Sequence, residues 1–170
     1  MSLLVASFSL GVVGAFGGPS ITSDSTAVGS LTNVTGMGAY QISGGKIVGG
    51  KNQFLSFGQF GLNTGESATF SGPAGIQNIL ARVTGGAASN INGTITSTIT
   101  GANLFLLNPS GVMFGANAQV NVSGAFSVST ANYLQMMDNT KFYADTVNAA
   151  INDGNLSASP SSEVSFSARC

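Results

Sequence analysis

Six carboxylates supply nearly all the acid–base chemistry open to this chain of 170 residues: Asp24, Glu66, Asp138, Asp145, Asp153 and Glu163. Five Lys or Arg accompany them, with no His and a single Cys, Cys170. Paired carboxylates cleave glycosides, and clustered ones with a basic residue hold calcium or abstract a proton from a polysaccharide. Here the six lie singly along the chain. Without His, and with one Cys, neither a zinc site nor an internal disulfide can be assembled. The residues therefore argue for a protein that is not an enzyme and uses no cofactor or metal. A β-helical enzyme acting on polysaccharide stays as the rival reading, and glycan-cleaving activity would be its mark.

The residues with the most directed local chemistry are Asn108-Pro109-Ser110-Gly111. Asn108 at the first turn position bonds onward through its side chain, Pro109 presets φ near −65°, and Gly111 supplies freedom at the fourth position. That is a type I turn. A two-residue type I′ hairpin is excluded, because it needs positive φ where Pro109 sits. A three-residue hairpin and a solenoid corner both remain open. The flanks, Leu104–Leu107 and Val112–Phe114, are apolar at consecutive positions, which suits strands covered on both faces. They favour a solenoid coil with something packed outside it.

The elements that must carry this corner are short. Candidate strands are Ala39–Ile42, Lys46–Val48, Phe54–Phe60, Ser67–Phe70, Gly93–Thr96, Asn103–Leu107, Val112–Phe114, Gln119–Val122 and Ala125–Ser129. Each is bounded by Gly, Asn, Ser or Thr. Sandwiches and barrels use longer, cleanly alternating strands with charged outer faces. With only eleven charged residues and 24 glycines, the chain suits stacked coils, in which like charges about 4.8 Å apart would repel. Repeats support this: "GANLFLL" and "GAFSVST" start 23 residues apart, and Phe142 and Phe166 are 24 apart. Between Asn132 and Asp153 helix formers increase, and both an irregular helix and another coil edge fit. The tail holds one alternating run, Glu163–Ala168.

Charge excludes several partners. A net charge of −1 leaves no electrostatic footprint for nucleic acid or an anionic membrane. The apolar run Leu3–Phe16 resembles the core of an export signal, although no Lys or Arg precedes it, and a first strand or core cap fits equally. It is too short and too rich in Gly and Ser for a membrane-spanning helix. Disorder is unsuited to a chain this apolar and this uncharged.

Three blocks in order, "FLSFGQFGLNTGESATFSGPAGIQNILARVTGG", "SNINGTI" and "GANLFLLNPSGVMFGANAQVNVSGAFSVSTA", make the chain resemble the haemagglutination-activity domain. That domain is the N-terminal, two-partner secretion domain of filamentous-haemagglutinin-like exoproteins. The resemblance covers about Ile21 to Tyr133. It implies an all-β fold, a right-handed parallel β-helix with capping or extra-helical strands. The division implied is 1–20 as an export-signal remnant or cap, 21–135 as the β-helix domain, and 136–170 as a further coil or irregular tail.

By the same resemblance the domain crosses the periplasm of a Gram-negative cell unfolded. The periplasmic POTRA domains of an outer-membrane β-barrel transporter recognise it, and it seeds folding of a secreted or surface-exposed passenger. Passengers of this family are adhesins, haemagglutinins or cytolysins that meet host or cell-surface ligands; a stand-alone adhesin is the alternative. No nucleic acid and no membrane insertion are expected. Candidate recognition residues are Asn108, Pro109, Ser110, Gly111, Asn78 and Arg82. For the four corner residues a purely structural role is the competing reading. For Ile79, Leu80 and Val83 the core is the expected place, and Arg82 either meets an acidic partner or is solvated or paired locally. The family's usual asparagine-proline-asparagine-glycine corner has Ser110 at its third position here. The second asparagine-proline motif of the best-known members has no counterpart, so its contacts do not carry over.

Overall fold

Runs of consecutive apolar residues must bury both faces of their strands, and this chain does so by coiling. The computed structural model describes residues 20–160; the apolar run Leu3–Phe16 and the alternating run Glu163–Ala168 lie outside them. The first strands are antiparallel edges. β1 (Thr22–Ser23) and β2 (Thr32–Thr35) precede β3 (Ala39–Gly44), which pairs antiparallel with β2. β4 (Lys46–Val48) folds back on the start of β5 (Asn52–Gln59), and β1 pairs with the end of that same edge.

From there every solenoid contact is parallel. β5, β7 (Asn78–Val83), β10 (Asn103–Leu107) and β13 (Phe126–Ser129) stack into one face, sheet A. β3, β6 (Ser67–Phe70), β9 (Thr94–Ser97) and β12 (Gln119–Asn121) stack into a second, sheet B. The short third face holds β8 (Ser89–Ile91) and β11 (Val112–Phe114), with Leu62 bridged to Ile91 beneath them. The chain visits sheet A, the third face and sheet B in turn, four strands deep on two of its faces. This is a parallel β-solenoid, as the charge-poor composition and short strands predict.

Register separates two readings of the repeat. Asn52, Asn78 and Asn103 align, as do Leu104 and Phe126. The last pair is 22 residues apart, not the 23 suggested by matching Gly101 with Gly124. A slip of one residue would set Leu104 against Ser127 and exchange the two faces of the strand. Side chains decide the offset: Leu104 and Leu106 point inward, with half-buried Phe126 and Val128 packed on the same inner cluster.

The interior changes along its axis. Phe57, Phe60 and Phe70 fill the first coil edge to face or stacked, with centroids 5.3–6.4 Å apart. Later coils contribute Ile79, Ala81, Val83, Ile91, Ile95, Leu104 and Leu106. Strand alternation turns Phe54, Leu80, Phe105 and Leu107 to the outside of sheet A. A second cluster covers them, built from Val28, Ala131, Leu134, Met136, Phe142, Ala144 and Leu156.

The stretch Asn132–Asp153 supplies most of that cover. It forms an antiparallel hairpin, β14 (Tyr133–Gln135) with β15 (Lys141–Tyr143), then the short helix α1 (Thr146–Asn152) and a 3-10 turn at Asp153–Asn155. Asp145 caps α1 by accepting the Asn148 N–H at 2.7 Å. β10 is therefore covered on both faces, as its sequence predicts. β11 is not: Met113 and Phe114 are 58 % and 45 % exposed.

Candidate recognition site

The Asn108–Gly111 turn is a solenoid corner. β10 pairs with β7 and β13, and β11 pairs with β8, so the two flanks never pair with each other. The Gly111 N–H closes the turn on the Asn108 carbonyl at 3.0 Å, and the Asn108 side-chain oxygen accepts the Ser110 N–H at 2.9 Å. Gly111 has φ of +109°, which a side chain would strain. Its carbonyl accepts the Ser89 N–H at 2.9 Å.

Asn108 is fully buried because it also staples neighbouring coils. Its amide donates to the Ala87 carbonyl and the Ser89 hydroxyl, both at 2.9 Å, and its N–H donates to the Ser129 carbonyl at 2.9 Å. Pro109 and Gly111 are half-buried and Ser110 is exposed. Of the four, Ser110 presents its side chain to solvent, and Asn108 is spent on the fold.

Asn78 belongs to an amide ladder at the start of sheet A. It donates to Asn52 Oδ1 at 3.0 Å and accepts from Asn103 Nδ2 at 3.1 Å. The Ala125 N–H closes one end on Asn103 Oδ1 at 2.9 Å, and Asn52 closes the other on the carbonyls of Ser157 and Ser159. Motif reading singled out Asn78 alone. The wider signal was legible: "NQFLSF", "NILARV" and "NLFLL" each open with Asn, at offsets of 26 and 25 residues.

Arg82 is fully buried on the outer side of β7. All five of its N–H groups are used. Nε donates to Ser56 Oγ at 2.7 Å; Nη1 to Asp153 Oδ1 at 2.7 Å and the Tyr143 carbonyl at 2.9 Å; Nη2 to Asp153 Oδ2 at 2.7 Å and Thr26 Oγ1 at 2.9 Å. Its guanidinium also lies 4.5 Å from the Phe142 ring centroid. Of the two readings the sequence left for Arg82, local pairing is what the folded chain displays. Ile79, Leu80 and Val83 are core, as expected.

Beyond Arg82 the network reaches Asp24, which accepts from the hydroxyls of Ser56, Thr26 and Thr84 and from the Thr26 N–H. Burial pushes the Asp24 carboxyl up, but those hydrogen bonds together outweigh it and hold the group below its ordinary value. Sequence reasoning missed Thr26, Ser56, Asp24 and Asp153, since no local pattern joins residues so far apart in the chain. An Arg inside an apolar run was the one available hint.

This arrangement binds segments together and offers little to a substrate. Asp153 and Ser56 are 2 % and 0 % exposed. Glu66 accepts the Asn63 N–H at 2.7 Å, and Asp138 accepts the Thr140 N–H at 3.0 Å. The five carboxylates among the described residues serve as local caps or belong to the sealed Arg82 cluster. Among the described residues no three of His, Cys, Asp and Glu gather where they would hold a metal ion. No described helix is long and apolar enough to cross a membrane.

The chain is thus a parallel β-solenoid with antiparallel strands on one end and an extra-helical hairpin on its side. A family model for the TPS secretion domain matches residues 20–168. The chain belongs to that family, the two-partner secretion domains of exoproteins. The family is not an enzymatic one, and membership implies secretion with an outer-membrane transporter as partner. No curated protein matches the chain in a sequence comparison.

Proposed function

We propose that this chain is the secretion-recognition and fold-seeding part of a larger exoprotein, read by the POTRA domains of its outer-membrane transporter. The observation that carries the reading is the inequality of the solenoid's two ends. At the first coil, β1 and β4 cover the free edge of β5 and β2 covers that of β3. At the last coil, among the described residues, β11, β12 and β13 each pair on one edge only. There Met113, Phe114 and Val120 are exposed, and Val112, Val122 and Phe126 are half-buried against the core. Unpaired parallel edges over an apolar interior are a template for further coils.

Recognition precedes this fold. An extended chain adds to a sheet edge through its backbone, with alternate side chains giving specificity. A chain poor in ion pairs stays extended until export is complete. The apolar coil segments and the Asn108–Gly111 corner are what such a partner meets, with the Ser110 side chain free of any role in closing the turn. Binding to host or cell surfaces falls to the passenger in this reading.

The test is secretion into the medium by cells carrying the cognate transporter. Deleting 54–124 is expected to abolish export, and export that persists would sink the reading. Comparing Asn108→Ala with Ser110→Lys separates fold from recognition. Asn108→Ala lowers folded stability, whereas Ser110→Lys leaves stability intact and reduces export only if the corner is read directly.

A further inference from the structure

We propose that residues 133–156 are a strap that docks on, and opens from, the outer face of sheet A as one unit, with Arg82 as its lock. The proposal rests on how the strap is attached. Its hairpin joins neither solenoid sheet. Among the described residues, no main-chain to main-chain hydrogen bond links 133–160 to 20–129. Every tie passes through a side chain.

Those ties converge. Phe142 packs edge to face on Phe54 with centroids 5.0 Å apart, beside Leu134, Met136 and Leu156. Arg82 reaches from β7 to hold Asp153 by two bonds and Tyr143 by a third. The Val28 N–H adds a long contact to Asp153 Oδ2 at 3.4 Å, and Lys46 Nζ donates to the carbonyls of Asp153 and Gly154. One Arg therefore gathers the N-terminal segment through Thr26, the first coil through Ser56, and the strap.

The solenoid differs in kind, since each coil is held to the next by ladder hydrogen bonds along three faces. Losing the strap costs the coils no ladder bond. It uncovers Phe54, Leu80 and Phe105 and leaves the guanidinium of Arg82 without its carboxylate. Segments joined by few backbone bonds open at lower free energy than ladder cores. Removing one member of a buried ion pair strands the other charge, so the strap's closure is expected to be sensitive to the loss of Asp153. None of this depends on the export reading.

The test is native-state hydrogen exchange on the full chain, resolved by segment and followed through low denaturant. Amides of 133–156 are expected to exchange through an opening that leaves β7, β9 and β10 protected. A single isotherm shared by strap and coils would overturn the proposal. Asp153→Asn, which keeps the side chain's shape, is expected to raise strap opening by roughly a hundredfold or more, with coil amides changed by no more than a few fold. Uniform acceleration of all segments, or no change in the strap, would remove Arg82 as the lock. If Asp153→Asn does not fold, the wild-type isotherms still decide whether the strap opens alone.

Discussion

Coil meets coil in the solenoid through main-chain ladders kept in register from Asn52 to Asn78 to Asn103 and from Phe54 to Leu80 to Phe105. The strap lies on that same sheet, and among the described residues every hydrogen bond between them has a side chain on at least one side. Both bury apolar surface, yet the ladder spreads cohesion over every residue, and the strap concentrates it at Phe142 and Asp153. Distributed attachment tolerates a single loss. Concentrated attachment fails at a point.

The most disruptive way to break that contrast is Arg82→Met. It leaves Asp153 buried and unpaired, at a cost of about 3–5 kcal/mol, and is expected to release the strap before the coils melt. Replacing both partners with apolar residues, Arg82→Met with Asp153→Leu, is expected to recover most of that loss, because no charge is stranded. Denaturant unfolding followed separately at strap and coil positions checks both.

The contrast sharpens with two phenylalanines. Phe57→Ala and Phe142→Ala each remove a buried ring, for roughly 3 kcal/mol. Phe57 sits inside the first coil among Phe60 and Phe70, so its loss is expected to lower the single melting transition of the whole solenoid. Phe142→Ala is expected to act on the strap while leaving the main transition near its wild-type position. Equal effects on the main transition would show that strap and coils melt together.

These two regions also differ in how far the sequence discloses them. The solenoid was legible because its signals repeat: short apolar runs, turn residues at each corner, and scarcely any charge. Lys46–Val48, Ser67–Phe70, Asn103–Leu107 and Val112–Phe114 form the strands their sequences predict. Asn78–Val83 carries no alternation, since both of its faces are buried, and only its neighbours in the stack reveal it as a strand. The strap was illegible for a related reason. Its hairpin and helix are specified by what they cover, and the face they cover is assembled from three separate coils. The turn at Asn108 could be typed from its residues, but the staple to Ala87 and Ser89 could not, because local chemistry does not say which coil lies beneath.

Within the ladder a single amide is worth less than a ring or a buried charge. Asn78→Ala removes the bonds to Asn52 and Asn103 and leaves buried amide groups without partners, for about 2 kcal/mol. Asn78→Asp keeps the acceptor and loses the donor, and is expected to do at least as much damage by burying a charge. Thermal melts of both variants check this. An effect confined to residues 133–156 would mean that the ladder serves the strap and not the coils.

The smallest expected effect is one of pH, and it tests where the N-terminal segment belongs. Burial raises the Asp24 carboxyl, but the hydroxyls of Ser56, Thr26 and Thr84 and the Thr26 N–H bring it below 3.8 overall. A carboxylate lowered in the folded state stabilises the fold fully above its unfolded value and loses that contribution as pH falls through the folded one. Asp24→Asn is thus expected to melt below the wild type at neutral pH, with the gap narrowing as pH drops below about 4. A gap that stays constant would show that the hydrogen bonds are kept whatever the charge. Because among the described residues Asp24 reaches Arg82 through Ser56 and Thr26 and not directly, acid should loosen residues 22–28 before it frees the strap. Segment-resolved exchange at pH 3 distinguishes that order from simultaneous release, which would make Asp24 part of the lock itself.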